Sequence, residues 1–513
     1  MVQFVRVQES TYFDSVTLML ISSKLAEMPQ VKEAAVMMGT DHNKRLMLQS
    51  GVLDAANAER IHPNDLTIGI LAETQEAVDE ALKKLDELMQ EKNTVGKTED
   101  SPVHSLKAAC DRLGTANFSI VSLPGAYAGR EAMNAMQHGL HVLLFSDNVD
   151  LETEIRLKDY ALEHGLLMMG PDCGTAIVNG VALGFANRVR RGKIGLVAAA
   201  GTGLQEVTTL IHRMGGGVSQ ALGTGGRDGK DAVGGRMLLQ CLNALEQDEG
   251  TKVIGIISKP LGARTLEKLQ QALKDLKKPV IACFLGAPKQ DAGQYAATLE
   301  EAAVMLCALS GVKKELCKEK QTLSAEEAAK KLAPEQKYLR GLYSGGTLCY
   351  ETLLLLRQHG IECFSNLSLD KAWTLEDPER SCEHTLVDMG DDYFTNGMPH
   401  PMIDPRLRTE RIVREAIDPE TAVILLDCVL GYGSNADPAG ELAKAIRRAK
   451  AERKAGGEVI FVASICGTDE DIQCRSLQKQ TLEACGVVVL ESNARATLYA
   501  AELLHIRKGE DRK

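Results

Sequence analysis

Short runs of valine, isoleucine and leucine alternate along this chain with stretches of helical period. Residues 3–7 predict a strand, 13–26 a helix, 33–39 and 66–72 strands, and 74–92 an amphipathic helix. Together they make residues 1–95 a small α+β domain of the split-βαβ kind, whose expected role is assembly or packing. The polar stretch 91–107 reads as a linker. Within 96–190, strands at 118–123, 141–145 and 166–169 alternate with helices at 130–137 and 151–164. Apolar strands spaced by such helices predict a parallel sheet covered on both faces, a Rossmann-like unit.

The same alternation occurs twice more. Residues 191–312 carry strands at 194–198, 253–257 and 280–284. The charged segment 313–336, interrupted by Pro334, predicts a helical linker. Residues 337–513 repeat the layout of 191–312, with strands at 385–389, 422–427 and 459–463, and a tail at 507–513 expected to fray. The expected class is multidomain α/β: a Rossmann-like CoA-binding-type domain and two flavodoxin-like domains, preceded by the small α+β domain.

Composition narrows the function classes. With 513 residues the chain exceeds a single core, and its net charge of −11 argues against nucleic acid and anionic membrane surfaces as partners. No charged-then-apolar leader and no membrane-length apolar run is visible, so a cytoplasmic location is expected. Thirteen cysteines lie singly, without a C-x-x-C pair, which suits buried thiols in a reducing compartment; no metal site is expected. Cys173 reads as a packed thiol.

Two segments read as the same small machine. In 194–206 a strand runs into Gly201, Thr202 and Gly203; in 343–351 one runs into Gly345, Gly346 and Thr347. Glycines and a threonine at a helix start leave free N–H groups at the positive end of the dipole, which favours an anion. If the two starts face each other they form one site for a phosphate, a carboxylate or carbamoyl phosphate. The alternative is a pair of tight turns needed only for packing. Glu206 and Glu351, at matching helix positions, are expected to support the first turns electrostatically.

Three loops supply further candidates. In 223–229, Gly225 and Gly226 lead to Arg227, a bidentate partner for phosphate or carboxylate, which Asp228 would orient. The plain alternative is a flexible connection. Asp391 and Asp392 would position an amine or, less expected, bind a metal, or simply be a solvated or capping pair. The proline-punctuated loop 399–408 presents His400 as proton acceptor, with Asp404, Arg406 and Arg408 nearby and Arg406 suited to a carboxylate. A rigid interdomain loop would look the same.

Residues 170–174 (GPDCG), 201–206 (GTGLQE) and 223–228 (GTGGRD) follow the order and spacing of the succinyl-CoA synthetase α-subunit. The last domain resembles the carboxy-terminal domain of that enzyme's β-subunit. Across nearly its whole length the chain resembles the FdrA family of synthetase-like proteins, including its YahF-type members, on 145–149 (FSDNV), 170–175 (GPDCGT) and 396–405 (NGMPHPMIDP).

Two departures from the synthetase matter. The loop that holds the CoA phosphates is replaced, with only 123–129 as a glycine turn. Where the synthetase carries its phosphorylated histidine, 289–294 places Asp291, and no histidine occurs between His212 and His359. No ATP-grasp unit is visible.

The resemblance implies carbamoyl transfer between carbamoyl phosphate and oxamate in ureide nitrogen catabolism, with companion subunits. In that reading Gly201–Gly203 and Gly345–Thr347 hold the phosphate, Arg227 or Arg406 holds an acceptor carboxylate, and His400 takes a proton. No cofactor is required, and CoA stays open as one. Two alternatives stand beside it: an acyl-CoA ligase or transferase whose nucleotide domain is on another chain, and a non-catalytic subunit that binds an acyl phosphate or metabolite.

Overall fold

In the computed structural model, strands with almost no exposed residue build two large sheets that carry most of the chain. The structure describes residues 1–9, 11, 15–26, 28–94, 103, 105–287, 294–314, 316, 321–368, 370–454 and 456–509. Two units divide it: Met1–Ala109 with Asp392–Pro399, and Cys110–Asp391 with His400–Lys513.

The first unit contains β1 (Val2–Gln8), α1 (Ser15–Ala26), β2 (Val31–Met38), α2 (Asp41–Gln49), α3 (Ala55–Ala58), β3 (Leu66–Ala72) and α4 (Gln75–Thr94). Its strands run antiparallel in the order β1-β3-β2. Leu66, Ile68 and Ile70 alternate onto one face and meet Leu18, Leu25, Val78 and Leu85 of the long helices. Met47, Val52, Leu53 and Ile61, from the α2–α3 region absent from the sequence-based expectation, cover Ala35 on the other face.

The second unit begins, after α5 (Leu106–Leu113), with the expected Rossmann-like layer: β4 (Phe118–Val121), α6 (Gly125–Gln137), β5 (His141–Leu144), α7 (Leu151–Glu163) and β6 (Met168–Met169). Its three strands are parallel in the order β4-β5-β6. The next strands, β7 (Thr175–Val178) and β8 (Val181–Gly184), form a hairpin around Asn179 and Gly180, both with positive φ. That hairpin joins the following sheet through β7, although the sequence reading placed residues 175–184 in the Rossmann-like unit.

The following sheet comprises β9 (Arg191–Ala198), α8 (Gly201–Arg213), β10 (Val218–Gly223), α9 (Arg236–Gln247), β11 (Val253–Ser258), α10 (Ala263–Asp275), β12 (Val280–Phe284), β13 (Tyr295–Ala296) and α11 (Leu299–Leu309). A short helix α12 (Ala325–Ala329) lies in the segment read as a linker, and its Ala325 and Ala328 are buried in the shared core. Then come β14 (Tyr338–Tyr343), α13 (Gly346–Gln358), β15 (Phe364–Ser365), β16 (Thr385–Asp388), α14 (Asp392–Thr395, in the first unit), α15 (Arg406–Ile417), β17 (Thr421–Val429), α16 (Pro438–Glu452), β18 (Ile460–Cys466), α17 (Arg475–Ala484), β19 (Val488–Leu490) and α18 (Asn493–Lys508).

Both sheets have one parallel order. The first runs β10-β9-β11-β12-β13, and the second runs β16-β14-β17-β18-β19 with β15 on its edge. This is the flavodoxin-like 2-1-3-4-5 order, so the helix after each first strand starts at the carboxyl edge of a central strand, where α/β sheets bind ligands. One continuous apolar core spans both halves and includes Leu204, Val207 and Ile211 of α8 with Leu348 and Leu356 of α13. No helix among the described residues is long and apolar enough to cross a membrane.

The halves also cap each other. Glu206 of α8 accepts a hydrogen bond from Asn493 N at the start of α18, at 3.2 Å. Glu351 of α13 accepts from Leu299 N at the start of α11, at 2.8 Å, and from Asn493 Nδ2, at 2.8 Å. Each central helix thus places a carboxylate on the positive end of the other half's last helix. Glu206 and Glu351 do not support their own first turns, as the sequence suggested, but hold the halves together.

Desolvation pushes Glu351 up to about 7 against its two hydrogen bonds, and raises Glu206 as well. Between the ordinary value near 4.5 and about 7 the unfolded chain has released this proton while the folded chain keeps it. Stability should therefore fall as pH rises through that window, with Glu351 contributing about 3 kcal/mol at most. Urea unfolding at pH 5 and pH 8 should show the loss, and Glu351→Gln should flatten it.

Candidate functional site

Two helices that each begin with glycine can approach end to side. A Cβ built on Gly203 would meet Thr347 Cγ2 at 2.8 Å, and one built on Gly345 would meet Thr202 Cγ2 at 2.8 Å and Oγ1 at 2.9 Å. Each half's glycine makes room for the other half's threonine. The starts of α8 and α13 are therefore direct neighbours at the junction of the two sheets.

Neither start is closed by a side chain: Ala200 and Gly345 are the N-caps, and no side-chain capping bond is made at either. The first-turn N–H groups are left without helical partners. Thr202 and Thr347 are 7 % and 5 % exposed, and their hydroxyls have no hydrogen-bond partner among the described residues. Gly201 is exposed and Gly346 half-buried, so the donors can be reached from outside.

The turn before α13 is fixed from below. Asp427, at the end of β17, accepts from Ser344 N at 2.9 Å and Gly345 N at 2.8 Å. Buried Arg408 in turn donates to Asp427 Oδ1 at 2.6 Å and to Leu342 O at 2.8 Å. A buried charge is tolerable only when paired and bonded in this way.

Asp388 ends β16 beside the same turn. Gly346 leaves it space: a Cβ there would lie 2.3 Å from Asp388 Oδ2. Its carboxyl accepts from Gly390 N at 2.9 Å. Desolvation raises it to about 7, against that bond and the nearby positive charge of Lys259.

His400 stands on the other side of Gly390, whose Cβ would be 2.6 Å from His400 Nε2 and 3.2 Å from Asp388 Oδ1. Met402 N donates to His400 Nδ1 at 3.2 Å. A neutral ring then carries its proton on Nε2. Desolvation is the main cause that pushes the imidazole down to about 4, with Asp427 opposing and Arg408 assisting. The ring packs at 5.8 Å from Phe185.

The remaining sequence candidates have other partners. Arg227 donates to Val149 O at 2.6 Å and pairs with Glu154 at 2.8 Å, both on the Rossmann-like layer. Asp228 does not orient it: fully buried, it caps α9 through Met237 N and Leu238 N and pairs with buried Lys158 at 2.8 Å. Gly225, with φ +84°, packs against Pro171, whose carbonyl would lie 2.2 Å from a Cβ there, while Gly226 is exposed. The loop is a packing joint between layers because only glycine permits that approach.

Arg406 lies against Asp404, with Nη2 at 2.6 Å from Oδ2, and Asp404 also accepts from Arg406 N. Asp391 is half-buried and raises the proton affinity of Asp388, whereas exposed Asp392 opens α14 in the first unit. Cys173 is buried and its thiol pushed up to about 12 by desolvation, as expected of a packed thiol. Asp291, which stands in place of the family histidine, lies outside the described residues.

The paired helix starts lie in a chain whose carboxy-terminal part is similar to the CoA ligases. Residues 342–503 match the CoA-ligase family model, and residues 1–103 match the model of the AllF, heavy metal-associated domain. The uncharacterized protein YahF of Escherichia coli (strain K12) is 44% identical over 514 residues, covering 98% of this chain and 99% of that protein. The chain belongs to the FdrA/YahF family of succinyl-CoA ligase-like proteins.

The succinate–CoA ligase [ADP-forming] subunit alpha 2 of Archaeoglobus fulgidus is 25% identical over 189 residues, 36% of this chain and 64% of that subunit. The chain thus spans a little under two thirds of that relative. A solved dinucleotide forming acetyl-coenzyme A synthetase 1 of Ca. Korarchaeum cryptofilum aligns over 77% of this chain and 83% of that one, with 13% identity and a TM-score of 0.31.

The amino-terminal domain does not fit the metal its model is named for. Residues 1–103 contain no cysteine, so no thiolate pair for a soft metal ion exists there. Among the described residues no group of three or more histidine, cysteine, aspartate or glutamate side chains is placed to hold a metal.

The reciprocal glycine–threonine contact yields a packing test. Gly203→Ala should cost about 1–3 kcal/mol through overpacking against Thr347 Cγ2. Adding Thr347→Ser, which removes that methyl, should restore more than half of the loss in a urea-unfolding double-mutant cycle.

Proposed function

We propose that the chain is the large subunit of a carbamoyltransferase that takes carbamoyl phosphate, working with companion subunits on a small amide such as oxamate. The observation that carries this reading is the pair of uncapped helix starts with two unbonded threonine hydroxyls. Such a cradle suits the non-bridging oxygens of a phosphate. The sequence is consistent with it from another side: with no histidine between His212 and His359, the family's relay imidazole is lacking, which suits an activated phosphate that arrives on a small molecule.

The amide nitrogen attacks the carbonyl carbon of carbamoyl phosphate, the C–N bond forms, and the C–O bond breaks with its electron pair leaving on phosphate. The nitrogen's proton passes to Asp388, whose proton affinity near neutral suits a general base. His400 is an N–H donor through Nε2 rather than the proton acceptor expected from sequence, because Nδ1 is engaged by Met402 N. Arg227 and Arg406 are both paired with the chain's own carboxylates, so the acceptor's carboxylate is not assigned to either.

Asp388 also sets a pH dependence. As pH rises through about 7 it becomes a carboxylate beside the bound phosphate, so affinity should fall. Calorimetric titration with carbamoyl phosphate from pH 6.5 to pH 8.5 should show weakening in the wild type and a flat profile in Asp388→Asn. Phosphate release from carbamoyl phosphate, with oxamate and the companion subunits added, tests the reaction itself. Binding without release under those conditions would favour a non-catalytic metabolite-binding subunit, and binding of CoA with none of carbamoyl phosphate would favour an acyl-CoA ligase.

A further inference from the structure

One cation near the paired helix starts has no counterion. Lys259 directly follows β11, the strand that lies parallel to β9. Two residues earlier, Ile257 Cγ2 would be 3.5 Å from a Cβ on Gly203, so this stretch of backbone reaches the first turn of α8. The side chain crosses to the other half, where Nζ lies 5.2 Å from the centroid of the Tyr350 ring on α13. Lys259 is half-buried and makes no ion pair or hydrogen bond among the described residues.

This is unusual company for a lysine in this chain. Lys158 is buried with two carboxylates, and Arg408, Arg340 and Arg411 each hold one or more. Lys259 instead has an aromatic face on one side, which is compatible with a cation and does not neutralise it. Its charge is felt by the carboxyl of Asp388, which lies beside Gly346, and by the thiol of Cys349 in the first turn of α13. Thr202 and Thr347, largely buried and with hydroxyls that have no hydrogen-bond partner among the described residues, lie at the same junction.

We infer that the Lys259 ammonium is the charged contact for the phosphate of the substrate at the paired helix starts. It adds one full positive charge to a cradle otherwise made of N–H and O–H dipoles. The contact is ionic throughout: no bond to Nζ forms. It selects for a phosphate-bearing substrate over a neutral amide, and leaves the phosphate unattached when the carbamoyl group departs. The inference rests on the phosphate cradle of the proposed function.

The test uses the full-length chain, with carbamoyl phosphate and inorganic phosphate as calorimetric probes. Lys259→Gln should weaken both by about ten-fold or more, while Lys259→Arg keeps affinity within about three-fold of wild type. Thermal midpoints should fall by no more than about 2 °C, since the neutral variants give up the contact with the Tyr350 ring but no ion pair or hydrogen bond among the described residues. Lys259→Met serves as a second neutral variant should the glutamine disturb the turn. Wild-type affinity in both neutral variants, with loss in Thr347→Val, would overturn the role of Lys259 and leave the cradle standing. No binding of either probe by the folded wild type would overturn the cradle and Lys259 together.

Discussion

Two helix starts can touch only if backbone meets side chain without a Cβ in the way, and here that condition is met twice over. Gly203 receives Thr347 and Gly345 receives Thr202. Everything around the junction follows from keeping those ends together. β9 and β14 occupy the same place in identical strand orders, so both turns emerge at the carboxyl edge of a central strand. Five residues into each helix, Glu206 and Glu351 reach across to the opposite half's last helix. One face of each helix thus carries both ends of a reciprocal clasp.

The clasp has an electrostatic cost that shapes the site. Burying Glu206, Glu351 and Asp388 raises the proton affinity of all three. Asp427, buried at the same junction, accepts from two backbone N–H groups and pairs with Arg408. The junction therefore contains one carboxylate committed to structure and one, Asp388, left near its switching point next to an anion cradle. In the proposed function that division of labour matters, because a base must be able to change its protonation state during a turnover.

Much of the fold was legible in the sequence because buried parallel strands are written as uninterrupted apolar runs. Residues 194–198, 253–257 and 280–284 all fall within observed strands, as do 422–427. Two features were overlooked for physical reasons. β10 follows Gly215, Gly216 and Gly217, which interrupt the apolar pattern just before it, and the short β7–β8 hairpin announces itself only through Asn179–Gly180. The glycine-led helix starts were found because their chemistry is local. Partner choice is not always local: Arg227 looked available until tertiary structure supplied Glu154, whereas Arg406 pairs with Asp404 only two residues away. Lys259 and Asp388 were invisible as site residues for the same reason, since an ordinary lysine and an ordinary strand-ending aspartate gain meaning only from what lies across the junction.

The two halves repeat one plan but are not equivalent, and the inequality gives the site a direction. On the α13 side the turn is fixed by Asp427 and Arg408 and flanked by Asp388, while Lys259 reaches over from β11. On the α8 side Gly201 is exposed and its turn is uncapped. In the proposed function, a small anion reaches the cradle past exposed Gly201 and rests against the start of α13 that Asp427 and Arg408 fix. Fixed dipoles with one fixed cation serve a substrate that brings its own activated bond, because donors that need not reorganise stabilise the departing phosphate at the least cost.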